Sequence, residues 1–116
     1  MIITFDFNLG KSMVIYEVNL AIDEAVYPQF QLWLKKHVKE MLQLPGFMQA
    51  CILKPENERT EDQEKLTVQY QLEDRASLNI YFAEFALKMR EEGLNLFKDK
   101  FSAQRRVFEV HDNIVK

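Results

Sequence analysis

Cysteine, histidine, glycine and proline are all scarce in this chain, and the first three shortages each remove a class of chemistry. Cys51 is the only cysteine, so no disulfide can form within the chain, and a reducing, cytoplasmic setting is the expectation. Cys51 itself is expected to be a small buried hydrophobe. The histidines are His37 and His111, which give no metal-ligand spacing, so no metal site is expected. Gly10, Gly46 and Gly93 are the only glycines, too dispersed for a phosphate-cradling loop. No Ser-His-Asp or Cys-His signature is present either, and the sequence implies no cofactor.

Long apolar runs and an excess of positive charge are missing too. Nothing approaches ~18 continuous apolar residues, and MIITFDFNLGKS at residues 1–12 lacks the charged leader and apolar length of a signal peptide. A formal net charge of −3, with acids and bases interspersed, argues against a nucleic-acid partner and against a polybasic membrane contact. What is present is the composition of a soluble globular domain, 47% hydrophobic and 28% charged over 116 residues. A chain of that size buries roughly 60–70% of its unfolded surface and has no room for a second domain.

The apolar residues are periodic. Val14, Tyr16, Val18, Leu20 and Ile22 alternate with Glu17, Asn19 and small partners, which predicts a strand with one core face. Asp23 is placed to cap, and Pro28 fits a first helical turn. In the helix predicted to run to about Gln43, Phe30, Leu34, His37, Val38 and Met41 share one face, bordered by Trp33 and Leu44 on one side and Leu42 on the other. Lys35, Lys36, Lys39 and Gln43 take the opposite face. Pro45-Gly46 stops this helix, and Phe47–Lys54 reads as a second strand. The polar run KPENERTEDQE at 54–64 is a solvated loop, and Leu66, Val68, Tyr70 and Leu72 alternate with Thr67, Gln69 and Gln71 in a third strand.

Asp74 is placed to cap a second helix with an inner stripe of Leu78, Phe82, Phe85, Met89 and Leu96, bordered by Tyr81 and Phe97. Gly93 is expected to kink or end it. Ile80, Leu87 and Leu94 form a second apolar line that the core cannot use: a subunit contact, a seat for the N-terminal segment, or simply three surface residues. A fourth strand closes the chain over Phe101–His111, with the parity of Arg105 and Arg106 open. The order βαββαβ predicts an α+β, ferredoxin-like sandwich: a four-stranded antiparallel sheet with two helices on one face. Residues 13–112 form this domain, 113–116 are a tail, and 1–12 are an extension or, through Ile3, Phe5 and Phe7, an added strand.

The stretches VIYEVNLAID, FQLWLKKHVKEML, TVQY and KMREEGLNLFKDKFSAQRRVFEV together resemble the uncharacterised family known as domain of unknown function 4286, over about Met13 to Val110. The likeness is most specific at Trp33 to His37, at Val68-Gln69-Tyr70, and at Arg90, Glu92 and Gly93 leading to Phe97. The chain departs from it at Lys39, where a proline is expected, and at Lys98, where a glycine is more usual. The resemblance implies a dimeric α+β barrel, in which two ferredoxin-like subunits face each other across their sheets. In similar cofactor-free monooxygenases and isomerases the pocket lies between helices and sheet of one subunit. The fold follows strongly from this and the reaction weakly, because such folds host many functions.

His37 is the sharpest chemical candidate, since a neutral imidazole beside an apolar pocket can act as a general base or anchor a ligand. Tyr16, Tyr70 and Tyr81 project toward the same space, and Trp33 supplies a wall; His37 is expected to be at least half buried beside a tyrosine. The competing reading makes His37 an ordinary core residue bonded to a carbonyl or hydroxyl. Glu17, Asn19, Thr67, Gln69 and Gln71 line the outer sheet face, where Arg105 or Arg106 is available to pair Glu17. That face is either solvated or the wet interface of a homodimer. Two functions stay open: a small-ligand-binding or interaction module, or a cofactor-independent monooxygenase or isomerase using His37. An open pocket beside His37 favours a ligand site, whereas a closed core with an exposed apolar patch favours an interaction module.

Overall fold

A computed structural model describes residues 12–58 and 60–116; the expected extension or strand before Ser12 lies outside them. β1 (Val14–Asp23) leads through a short 3₁₀ turn (Glu24–Val26) into α1 (Tyr27–Met41), followed by β2 (Phe47–Leu53) and β3 (Gln63–Leu72). A second helical arm comprises α2 (Arg75–Ile80), a π turn (Tyr81–Phe85) and α3 (Ala86–Phe97), and β4 (Phe101–Glu109) ends the fold. The sheet is antiparallel in the order β2-β3-β1-β4. The chain therefore has the ferredoxin-like α+β architecture that its periodicity predicts.

β1 sits between β3 and β4, so its register places everything else. Tyr16 lies opposite Tyr70 on one side and Val107 on the other; Glu17 lies opposite Gln69 and Arg106. Because side chains alternate, the Tyr16 row faces the helices and the Glu17 row faces away. This settles β4: Arg105, paired with Val18, shares the inner parity, and Arg106 the outer. Val14, Tyr16, Ile22, Phe30, Val68, Leu72 and Leu78 fill the interior. Truncating a ring such as Phe30, which is fully enclosed, costs about 3–5 kcal/mol.

Local signals set the element ends. Asp23 Oδ1 accepts from Ala25 N at 2.8 Å and starts the 3₁₀ turn, Pro28 occupies the first turn of α1, and Asp74 Oδ1 accepts from Ser77 N at 2.8 Å to cap α2. Gly46 takes φ +82°, and a Cβ there would run into the Ser77 side chain, so both backbone and space require glycine. α1 ends at Met41, short of Gln43, because the chain turns at 42–46 before entering β2. β3 begins at Gln63, earlier than the apolar alternation showed, because backbone pairing with Ala21, Ile22 and Asp23 continues through its polar residues.

The second helical arm departs most from the expected pattern. Ala86 N–H bonds to Tyr81 O, five residues back, so one extra residue is accommodated within the arm and the face of α3 is rotated relative to α2. Tyr81, Ala86, Gly93 and Phe97 take the inward positions, while Phe82 and Leu96, assigned to the inner stripe by uniform helical periodicity, are exposed. Gly93 neither kinks nor ends α3. It lies buried within the helix, which runs on to Phe97. Cys51 is exposed rather than buried: it pairs with Gln69 on β2, an edge strand, with the parity of the uncovered face. Among the described residues, no helix is long and apolar enough to cross a membrane.

Candidate functional site

A cavity of about 340 Å³ opens between the helices and the inner sheet face. Tyr16 and Tyr70 enter it from β1 and β3, Trp33 and His37 from α1, Tyr81 from the π turn, and Arg90 from α3. The five residues singled out from sequence at the His37 site therefore border one space. Leu94, Ser102 and Arg105 also line it and are solvent-exposed, so they mark its mouth.

Aromatic packing holds the walls. Tyr16 stacks against Tyr70 at a centroid distance of 5.9 Å and meets Tyr81 at 5.7 Å, while Phe30 packs on Trp33 at 5.4 Å and on Phe97 at 5.0 Å. His37 is half-buried and stacks nearly parallel on Trp33, at 4.6 Å and 21°. Its ring neighbour is thus the indole one turn earlier on α1, because residues four apart share a helix face. Burial pushes the His37 pKa below its ordinary value, against a smaller upward pull from the Glu92 carboxylate, so the imidazole is held neutral at physiological pH.

Arg90 supplies the cavity with a half-buried cationic group. Its Nη2 donates to Tyr16 Oη at 3.1 Å. Burial opposes the charge, but that bond and the neighbouring Tyr81 hydroxyl raise the Arg90 pKa above its ordinary value. Burial raises the Tyr81 hydroxyl to about 12, with Tyr16 adding to the shift, and pushes Tyr70 higher still. These phenols stay protonated and can donate hydrogen bonds. Among the described residues, the buried side-chain polar atoms without a hydrogen-bond partner are His37 Nδ1 and Arg90 Nε, and both residues border the cavity.

Sequence reasoning placed His37 and the tyrosines but gave no role at the cavity to Arg90 or Glu92, and offered Arg105 only as an alternative to Arg106 for pairing Glu17, a pairing that Arg106 makes. The signal for the first two was their spacing from Gly93. Arg90 and Gly93 lie three apart, one turn of α3, and Glu92 Oε1 accepts from the Trp33 indole N–H at 3.2 Å beside that contact. Arg105 was hidden by the open parity of β4.

The outer sheet face carries a separate hydrogen-bonded array. Glu17 Oε2 accepts from Asn19 Nδ2 at 2.9 Å and from Arg106 Nε and Nη2 at 2.9 and 2.8 Å, and Oε1 accepts from Gln69 Nε2 at 2.9 Å. Thr67 Oγ1 donates to Asn19 Oδ1 at 2.7 Å, and Gln49 Nε2 to Gln71 Oε1 at 2.8 Å. The five outer-face candidates are thus pinned by their neighbours, and the Glu17 side chain is only 5% exposed.

Residues 13–111 match the family model for domain of unknown function 4286. The chain belongs to this family. No curated protein sequence is similar enough to count as a match. Among solved structures, a dimeric ferredoxin-like protein from an uncultured marine organism is similar with a TM-score of 0.68 at 17% identity, covering 90% of this chain and 100% of that one. SnoaB, a cofactor-independent oxygenase from Streptomyces nogalater, gives 0.67 at 12% identity over 90% and 99%. A candidate antibiotic biosynthesis monooxygenase from Deinococcus radiodurans gives 0.69 at 10% over 89% and 97%. At these identities the likeness establishes a shared ferredoxin-like fold.

Proposed function

We propose that this DUF4286 protein binds a small organic molecule between its helices and sheet, as a homodimer joined through the outer sheet faces. The observation that carries the reading is the cavity itself: aromatic walls, a volume within the usual ~300–1,000 Å³ of small-molecule sites, and two polar lining residues, His37 and Arg90, that each keep a side-chain nitrogen without a partner. Trp33, Tyr16, Tyr70 and Tyr81 shape the ligand site, and His37 anchors the ligand. The dimer is supported by the pre-ordered Glu17, Asn19, Thr67, Gln69 and Gln71 surface, flanked by exposed Leu53 and Phe108, and by the dimeric state of the marine relative. A mixed polar surface of this kind suits a wet interface.

A second reading makes the site catalytic, with His37 as base in a cofactor-independent oxygenation or isomerisation. A neutral imidazole with an unpartnered nitrogen is the observation that favours it, since that nitrogen can take a proton from a bound acid. SnoaB supplies the reaction class to assay.

A thermal-shift screen of small organic compounds against the protein and His37→Ala tests both readings. A ligand at a hundred times its Kd stabilises the folded state by about 2.7 kcal/mol, and His37→Ala should lose most of that shift. A hit converted to product by the parent protein but not by His37→Ala selects catalysis. A screen without stabilisation overturns the ligand reading, and a monomeric mass by light scattering at micromolar concentration overturns the dimer.

A further inference from the structure

The cavity has the opposite charge to the protein around it. The chain carries a formal net charge of −3, yet the described residues lining the cavity include two cations, Arg90 and Arg105, and no carboxylate. Arg105 stands exposed at the mouth, while Arg90 reaches inside, where its Nη2 is committed to Tyr16 and its Nε is enclosed and unpartnered. A buried donor without an acceptor is costly, and a guanidinium edge matches the two oxygens of a carboxylate. Glu92, the acid whose charge acts on His37, is engaged by the Trp33 indole N–H and borders a separate surface groove with His37. It therefore leaves the Arg90 charge unneutralised inside the cavity. The aromatic rings of Trp33, Tyr81 and Phe101 line the same cavity.

Resting on the proposal that this cavity is a ligand site, we propose that its ligand is a small aromatic carboxylate. The carboxylate sits on Arg90, with the tyrosine hydroxyls as further donors, and the ring lies along the aromatic wall. Arg105 draws the anion to the mouth. The volume limits the aromatic part to one or two rings, and the protonated tyrosines add donors without adding negative charge.

Trp33 is the chain's single tryptophan and lines the cavity, so its emission reports occupancy directly. The test titrates 4-nitrobenzoate and 4-nitrobenzamide, quenchers of the same shape that differ in charge, against the folded protein. The carboxylate should quench saturably with an affinity at least about tenfold tighter than the amide, the usual worth of a charge-assisted hydrogen bond. In Arg90→Met, checked for folding by circular dichroism, the preference should fall to about twofold or less while amide binding persists. Equal affinities in the parent protein would overturn the carboxylate proposal and leave the ligand site standing. No saturable quenching by either probe would overturn both. A preference that survives in Arg90→Met would overturn the assignment to Arg90, and if that variant does not fold, the parent protein's contrast between the probes decides the charge.

Discussion

The Trp33 indole lies directly over the α-carbon of Gly93: a Cβ at that position would come within 2.8 Å of Trp33 Cη2 and 3.1 Å of Cζ2. The absence of a side chain at Gly93 lets the second helical arm approach α1 closely enough for Glu92 to bond the indole N–H and for Arg90, one turn earlier, to meet Tyr16. Gly93→Ala gains about 1 kcal/mol of helix propensity but must displace a packed ring, an overpacking that costs about 1–3 kcal/mol. A net loss of about 1 kcal/mol is expected in urea denaturation, together with altered Trp33 emission. An unchanged spectrum with raised stability would contradict the contact.

His37 makes stability pH-dependent in a defined direction. Burial, the larger influence, lowers its pKa below the ordinary value of 6.5, and Glu92 opposes this. The unfolded chain therefore binds the proton more readily than the folded one. The contribution of neutral His37 is complete above pH 6.5 and is lost as pH falls through that value toward the folded-state pKa. Chemical denaturation at pH 7.5 and at pH 5.5 should show a larger loss for the parent protein than for His37→Phe. Equal losses would mean that the imidazole titrates alike in both states.

Much of this arrangement was legible in the sequence because strand alternation survives folding almost unchanged. Tyr16 and Tyr70 face inward together since period-two parity in β1 and β3 leaves no other choice once Val14, Leu20, Leu66 and Leu72 are core. His37 was equally visible on the α1 face. The second helical arm was not, because helical periodicity assumes a constant turn. The five-residue bond from Ala86 to Tyr81 adds one residue inside an otherwise regular pattern and exchanges Phe82 and Leu96 for Tyr81 and Phe97 in the core. Nothing in the local composition marks that turn. Arg90 follows the same shift, so a uniform 3.6-residue period carried on from Leu78 does not place it on the cavity side, and only its one-turn spacing from Gly93 marks it. Cys51 was misplaced because its residue type was weighed above the parity of an edge strand.

Lys98 follows α3 with φ 51° and ψ −125°, a conformation that glycine adopts freely and a side chain resists. Such a residue costs about 1–3 kcal/mol, and here the side chain returns only a long 3.4 Å bond to Asn95 O. Lys98→Gly removes the strain at an entropic cost of about 0.5–1 kcal/mol. A gain of about 1 kcal/mol, or roughly 4 °C in Tm for a chain of this size, is expected by calorimetry. A fall in Tm would show that the lysine side chain contributes more than its one bond.

Glu17 should be the most demanding position on the outer face. Bonds from Asn19 and Gln69, with Arg106 adding both a bond and its charge, hold its pKa below the ordinary 4.5 although burial pulls the other way. Its stabilising contribution is therefore complete above pH 4.5 and disappears as pH falls through the lower folded-state value. Glu17→Gln keeps the size but removes the charge and turns an amide N–H₂ toward donors already aimed at an oxygen, so a loss of about 2–3 kcal/mol is expected at pH 7. Asn19→Ala removes two bonds from the array, the one it donates to Glu17 and the one it accepts from Thr67, and should cost about 2 kcal/mol. The informative quantity is the stability difference between the parent protein and Glu17→Gln, followed from pH 7 to pH 3 by urea denaturation. It should stay flat down to about pH 4.5 and then shrink. A difference constant across that range would mean that Glu17 holds its strands by shape and neutral hydrogen bonding rather than as a carboxylate.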